Sequence, residues 1–338
     1  MTKRERFRNF LANKPVDRVP VAFFHHFIPF SEFGMGVEND DVFRRNIVGH
    51  AKAKEIFDPD MVKIMSDSLF FLPVDASMVA CAADLRKIRV PAIDSDYVNR
   101  LVELTKRVRA IYDEDMPVLI NSCAPTFVLR NALCVDGMPN VGGKEHIIKG
   151  FIEEDPQAVA DAANILADVI IAINERLIRE CSIDGIYLSV NNQNKFFDED
   201  YFCKYMIPCE KRVMDEANKL CSMNLLHICG MAGRSNNLRL FTEFEAAAYN
   251  WAVYAENVSL SEGKKIFGGK PVFGGFSQYA EIYKGTREEL EAATFRILEE
   301  AGQVGIMLGA DCTVPADIDD DRLNWVREAA AKFAETHK

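Results

Sequence analysis

Eight short apolar runs recur along the chain, at residues 18–24, 61–66, 117–122, 184–190, 223–229, 246–252, 271–276 and 305–310. Most are near-continuous rather than alternating, as expected of parallel strands covered on both faces. Amphipathic patterns fill the gaps. In residues 97–114, Leu101, Leu104, Val108 and Ile111 recur at spacings of three or four, which predicts a helix. Further helices are predicted over 41–57, 199–220, 259–267, 286–301 and 319–335, and over 156–181, whose start is marked by Asp155-Pro156. Strand and helix alternate eight times, which predicts an α/β fold, a (β/α)8 TIM barrel with an N-terminal extension. A doubly wound open sheet fits less well, because no glycine-rich phosphate loop follows the first run. Residues 70–96 and 131–155, after the second and third strands, are longer than a barrel needs and are expected to form extra helical or lid segments. There is no repeat, low-complexity stretch or linker, so 1–338 reads as a single domain.

Charge and cysteine content narrow the partners. A net charge of −11 argues against nucleic acid and anionic membrane. It leaves room for a local basic pocket lined by Arg44, Arg45 or Arg234. No run approaches the roughly 18 consecutive apolar residues of a membrane span. The charged start, Met1 to Arg6, leads into no apolar segment of a signal peptide. Nine cysteines, an odd number, fit a reducing, cytoplasmic setting better than a disulfide framework.

The chemistry concentrates where two of the apolar runs end. His227 and Cys229 close the fifth, and Cys312 follows the eighth. Residues i and i+2 of a strand point the same way, so His227 and Cys229 share the barrel interior. Cys312 reaches the same C-terminal rim, where active sites of this fold lie. One imidazole and two thiols are the donor set of a catalytic zinc with an open fourth position. The competing reading is ordinary core packing, which suits Cys81, Cys134, Cys181 and Cys221. Glu243 and Glu256 are possible fourth ligands or plain surface carboxylates. Tyr254 and Trp251 are expected to pack near the sixth strand. His25 and His26, at the end of the first strand, either line the pocket or pack among aromatics. Asn191, Asn192 and Gln193 follow the fourth strand, to bond substrate or corrinoid or simply to form a turn.

Several segments resemble the uroporphyrinogen decarboxylase superfamily, across essentially the whole chain. They are Arg4-Glu5-Arg6-Phe7 with Pro15-Val16-Asp17-Arg18-Val19-Pro20, then 61–69 (MVKIMSDSL), 117–129 (PVLINSCAPTFVL) and 200–208 (DYFCKYMIP). The resemblance implies a (β/α)8 barrel from one of two branches: cofactor-independent porphyrinogen decarboxylases, or zinc-dependent methyltransferases of the methylcobamide:coenzyme M type. Decarboxylases carry arginines after the first strand, whereas Phe23-Phe24-His25-His26-Phe27-Ile28-Pro29 has none. The methyltransferase branch carries His-x-Cys and a later cysteine, matched by His227, Cys229 and Cys312. Asp67 matches the aspartate that touches the tetrapyrrole in decarboxylases. The superfamily's Gly-Asn-x-Asp-Pro reads Gly274-Gly275-Phe276-Ser277-Gln278 here.

The resemblance therefore implies methyl transfer between a corrinoid, methylcobalamin-like and carried by a separate protein, and a small thiol acceptor or methylated donor. Asp67, His25 and Asn191 are the catalytic candidates. Asn192 and Gln193 are the cofactor contacts, and His227, Cys229 and Cys312 are the Zn2+ ligands. With a bound thiolate the metal site would carry a net charge of about −1. A porphyrinogen decarboxylase, or a non-catalytic corrinoid or tetrapyrrole binder with a structural zinc, are the alternatives.

Overall fold

The computed structural model describes residues 1–337 apart from 135–144, 193–196, 231–233 and 320. Seven strands form one sheet: β1 (Val62–Ile64), β2 (Val118–Cys123), β3 (Gly185–Val190), β4 (Leu225–Ile228), β5 (Ala248–Trp251), β6 (Val272–Phe276) and β7 (Ile306–Ala310). They lie in sequence order and every neighbouring pair is parallel. The helices are α1 (Lys3–Leu11), α2 (Asp40–Ile56), α3 (Asp96–Arg109), α4 (Pro125–Cys134), α5 (Glu145–Glu154), α6 (Pro156–Cys181) and α7 (Glu199–Tyr201). They continue as α8 (Ile207–Asn218), α9 (Val253–Glu256), α10 (Leu260–Ile266), α11 (Glu281–Lys284), α12 (Arg287–Ala301) and α13 (Asp321–Thr336). The result is a curled parallel α/β sheet of TIM-barrel type.

The predicted first strand does not form a ladder of its own. Val21 makes a single parallel bridge to Leu308. Ala22 N–H donates to Leu308 O at 3.0 Å, and Asp60 N–H donates to Val21 O at 2.9 Å. The segment thus lies between β7 and the start of β1. Two features keep it from being a full strand. Pro20 has no N–H to give, and Val21 N–H is taken by the Asp60 carboxylate at 2.8 Å.

Alternation along the strands sorts side chains to two faces. Val62, Val118, Ile186, Leu188, Leu226, Trp251 and Leu308 join the large core beneath the helices. Phe24, Leu119, Tyr187, Leu225, Ala248, Phe273 and Met307 form a separate interior cluster, closed from below by Phe7 and Phe10 of α1. The N-terminal extension is therefore a plug. A Thr2–Glu5 capping box starts its helix, and Arg4 anchors it to Asp184 at the base of β3.

One other expectation is revised. The predicted helix 199–220 is interrupted by a π-helical turn at Phe202–Met206. Pro208 explains the break, since it cannot donate to the ladder and crowds the preceding turn. Of the two long connections, 70–96 carries the short 3-10 helix Ala82–Lys87, and 131–155 carries α5 and the end of α4. By length and composition α6 alone among the described helices could cross a membrane. Its apolar side is instead spent on packing: Val159, Leu166, Ile170, Ile173 and Leu177 are buried in the main core.

Candidate metal centre

The register brings the donors together. His227 on β4 is paired with Ser189 of β3 and Asn250 of β5. Its side chain points inward, above Leu225 and beside Tyr187, whose ring stacks on the imidazole at 5.5 Å between centroids. Cys229, one residue past β4, keeps the same inward phase. Cys312 follows β7, after Asp311. The Asp311 carboxylate receives the N–H groups of Val253 (3.0 Å) and Tyr254 (3.2 Å), which pins this loop to the start of α9. Burial pushes the Asp311 carboxyl up to about 7.

The ligand atoms of His227, Cys229 and Cys312 all lie within 4.8 Å of one another. Ligands of a tetrahedral zinc with bonds of about 2.0–2.3 Å sit roughly 3.5–3.8 Å apart, so a small contraction closes the set. Hydrogen bonding from Cys229 is the largest influence lowering the Cys312 thiol well below its usual range; His227 and Lys63 add to it, against burial. Among the described residues the group contains three donors and no fourth cysteine or histidine. The donor types and spacing fit a zinc with one exchangeable position.

Asn250 sets the imidazole. Its Nδ2 donates to Phe273 O (2.7 Å) and Ala310 O (3.3 Å), so its Oδ1 faces Tyr187 OH (2.9 Å) and His227 Nδ1. Nδ1 therefore carries the proton, and the Nε2 lone pair is left for a metal. Gly274, at φ 145°, gives the amide room: a side chain there would begin 3.3 Å from Asn250 Nδ2. Asn250→Ala is expected to weaken zinc binding roughly 10–100-fold without changing the three donors. Competition against a chromophoric chelator measures this, and unchanged affinity would remove Asn250 from the site.

Other predicted residues fall into different surroundings. Asp67 is fully buried, with one oxygen on His26 Nδ1 (2.8 Å) and the other on Phe27 N–H (2.7 Å). His25 is packed toward α2, lining a small cavity with Phe27, His50 and Tyr112. Asn191 accepts from Arg130 Nη1 at 3.0 Å. Asn192 is tied to the stretch after β4, its N–H to Asn236 Oδ1 (2.9 Å) and its Oδ1 to Asn237 N–H (3.0 Å). Gln193 lies outside the described residues. Glu243 is exposed, and Glu256 accepts both Asn236 N–H groups instead of joining the cluster. Trp251 is buried as expected, but Tyr254 is 54% exposed. Arg44 and Arg45 form surface pairs with Asp41 and Glu32 rather than a basic pocket.

Lys63, Tyr187 and Asn250 were not anticipated. A signal existed: a charged or polar residue inside an apolar run, as in Val62-Lys63-Ile64 and Tyr249-Asn250-Trp251. Lys63 points inward, its ammonium 4.5 Å from the Phe24 ring centre and 4.7 Å from that of Tyr187. Burial pulls its pKa down, and Cys312, Asp67 and Cys229 oppose that pull.

Comparison with known proteins agrees with this architecture. The family model for uroporphyrinogen decarboxylase (URO-D) matches residues 71–333. The methylcobamide:CoM methyltransferase MtbA of Methanosarcina mazei is 21% identical over 224 residues, which is 66% of this chain and 61% of that protein. The chain thus matches under two thirds of that relative's length. A methyltransferase from Methanosarcina mazei superposes with a TM-score of 0.69 at 16% identity, over 98% of this chain and 99% of that one. A B12-independent methionine synthase from Shewanella sp. W3-18-1, in complex with selenomethionine, gives 0.60 at 14% identity, over 94% and 98%.

Proposed function

The chain belongs to the uroporphyrinogen decarboxylase family, and from that premise we propose that it is a zinc-dependent methyltransferase. It moves a methyl group between a corrinoid protein and a small thiol-type acceptor, or takes one from a methylated donor. The observation that carries this reading is the gathering of His227, Cys229 and Cys312 at one end of the sheet, with their donor atoms within 4.8 Å. The likeness of the chain to MtbA supports the methyl-transfer branch.

When bound, zinc would hold a sulfur ligand as a reactive thiolate at neutral pH. His227, Cys229 and Cys312 would be its ligands. Asn250 and Tyr187 orient the imidazole. Phe24, Tyr187 and Phe273 pack edge to face below the site, with the Lys63 ammonium over two of the rings. The corrinoid would arrive on a separate protein at the C-terminal rim, with Asn191 and Asn192 among the rim residues. None of the eight cysteines described forms a disulfide, which suits a reducing, cytoplasmic setting.

The test is demethylation of methylcobalamin with a panel of small thiols, followed by the loss of the methyl–cobalt absorbance. Metal-loaded protein should accelerate transfer to at least one thiol above the free reaction, and chelation should abolish the gain. Inactivity with every thiol would overturn the acceptor role and leave the donor-side direction.

A further inference from the structure

Lys63 is an unusual occupant of a barrel interior. It is 7% exposed, and no carboxylate forms an ion pair with it among the described residues. Its ammonium lies over two aromatic faces, Phe24 and Tyr187. Such contacts return only part of what burying an unpaired ion costs. Another negative charge must make up the difference. Asp67 gives it no direct partner, since its oxygens bond His26 and the Phe27 N–H. The metal site lies one ring away: Tyr187, under the ammonium at 4.7 Å, also stacks on the His227 imidazole at 5.5 Å between centroids.

Resting on the zinc reading above, we infer that Lys63 is a positioning residue that sets the charge preference of the open position beside Cys229 and Cys312. A dication, two thiolates and a neutral imidazole sum to about zero. The ammonium raises this to about +1, and a thiolate ligand returns the loaded site to about zero rather than the −1 expected from the three ligands alone. The site therefore accepts anionic sulfur ligands and repels cationic ones. The aromatic faces of Phe24 and Tyr187, which would otherwise cage a methylammonium or sulfonium donor, are already filled by Lys63 itself.

The test uses the full chain loaded with cobalt(II), whose sulfur-to-metal absorption band reports thiolate binding directly. Three probes of similar size are titrated: mercaptoacetate, 2-mercaptoethanol and cysteamine, each corrected for its own thiol ionisation. Wild type should bind mercaptoacetate at least about tenfold more tightly than cysteamine. Lys63→Met should bring the two within about threefold, and Lys63→Arg should restore the preference. A merely structural lysine would alter all three affinities together. Equal binding of the three probes by cobalt-loaded wild type overturns the inference alone, and does so even if the Met variant fails to fold. An undiminished preference in folded, cobalt-loaded Lys63→Met also overturns it. A wild type that takes up no metal overturns the zinc reading and this inference together.

Discussion

Cys312→Ala purified without chelator is expected to contain less than roughly a fifth of the zinc of wild type, which should hold about one ion per chain. The loss follows from the donor count. His227 and Cys229 alone supply two ligands, and two do not hold zinc against water and buffer as three do. The fold should survive, because Cys312 lies beyond β7 in a half-buried loop outside the main core cluster. Asp311 would still pin that loop through Val253 and Tyr254. The melting temperature of the variant should therefore match that of chelated wild type rather than fall below it. Cys203→Ser, an exposed thiol remote from the cluster, is the control and should keep its metal. Elemental analysis decides the matter. Full zinc in the Cys312 variant, or a wild type free of metal, would remove the centre and with it the methyl-transfer reading.

The cluster was legible because its logic is local. His-x-Cys at a strand end shares one face whatever the neighbouring strands do, and an apolar run ending in Gly309-Ala310-Asp311-Cys312 sets the third donor at the same rim. What supports the cluster was less visible. Asn250 matters because the register of β4 and β5 sets it opposite His227, and register is a tertiary property. The directions taken by His25 and His26 are hidden for a related reason. The alternation that assigns faces holds within a ladder, and the segment from Pro20 to His25 has only isolated bridges, Val21 to Leu308 and His25 to Val314. As a result His26, not His25, reaches Asp67. The predicted helix 199–220 is helical from Glu199 to Asn218 but takes a π turn before Pro208, whose effect is readable in principle. The exposure of Tyr254 was not readable, since α9 is only four residues long and turns away at Asn257, which has φ 52°.

The largest expected loss of stability comes from the opposite end of the sheet, at Asp60. This carboxylate is fully buried at the entry to β1. It accepts from Arg6 Nη1 (2.7 Å), from both terminal nitrogens of Arg18 (2.6 and 3.0 Å) and from Val21 N–H (2.8 Å). Three separate pieces of chain meet there: α1, the bridge segment and β1. Asp60→Ala leaves a buried amide without its partner and takes from Arg18 the only carboxylate bonded to it among the described residues. Arg6 keeps Asp17. Breaking one side of a buried ion network in this way costs ~3–5 kcal/mol, or roughly 4–7 °C in melting temperature for a chain of this size. Asp58→Ala, two residues earlier, is the comparison. Its side chain is 62% exposed although it pairs with Lys3 and Arg327, so it should cost at most about 1 kcal/mol. If the two variants melt together, the bridge segment is not held by Asp60. If only Asp60→Ala melts early while retaining zinc at lower temperature, the closure at the base and the metal centre at the rim are separable. The separation is physically reasonable, because the ligands are carried by β4 and the end of β7, while Asp60 acts on α1 and the segment before β1.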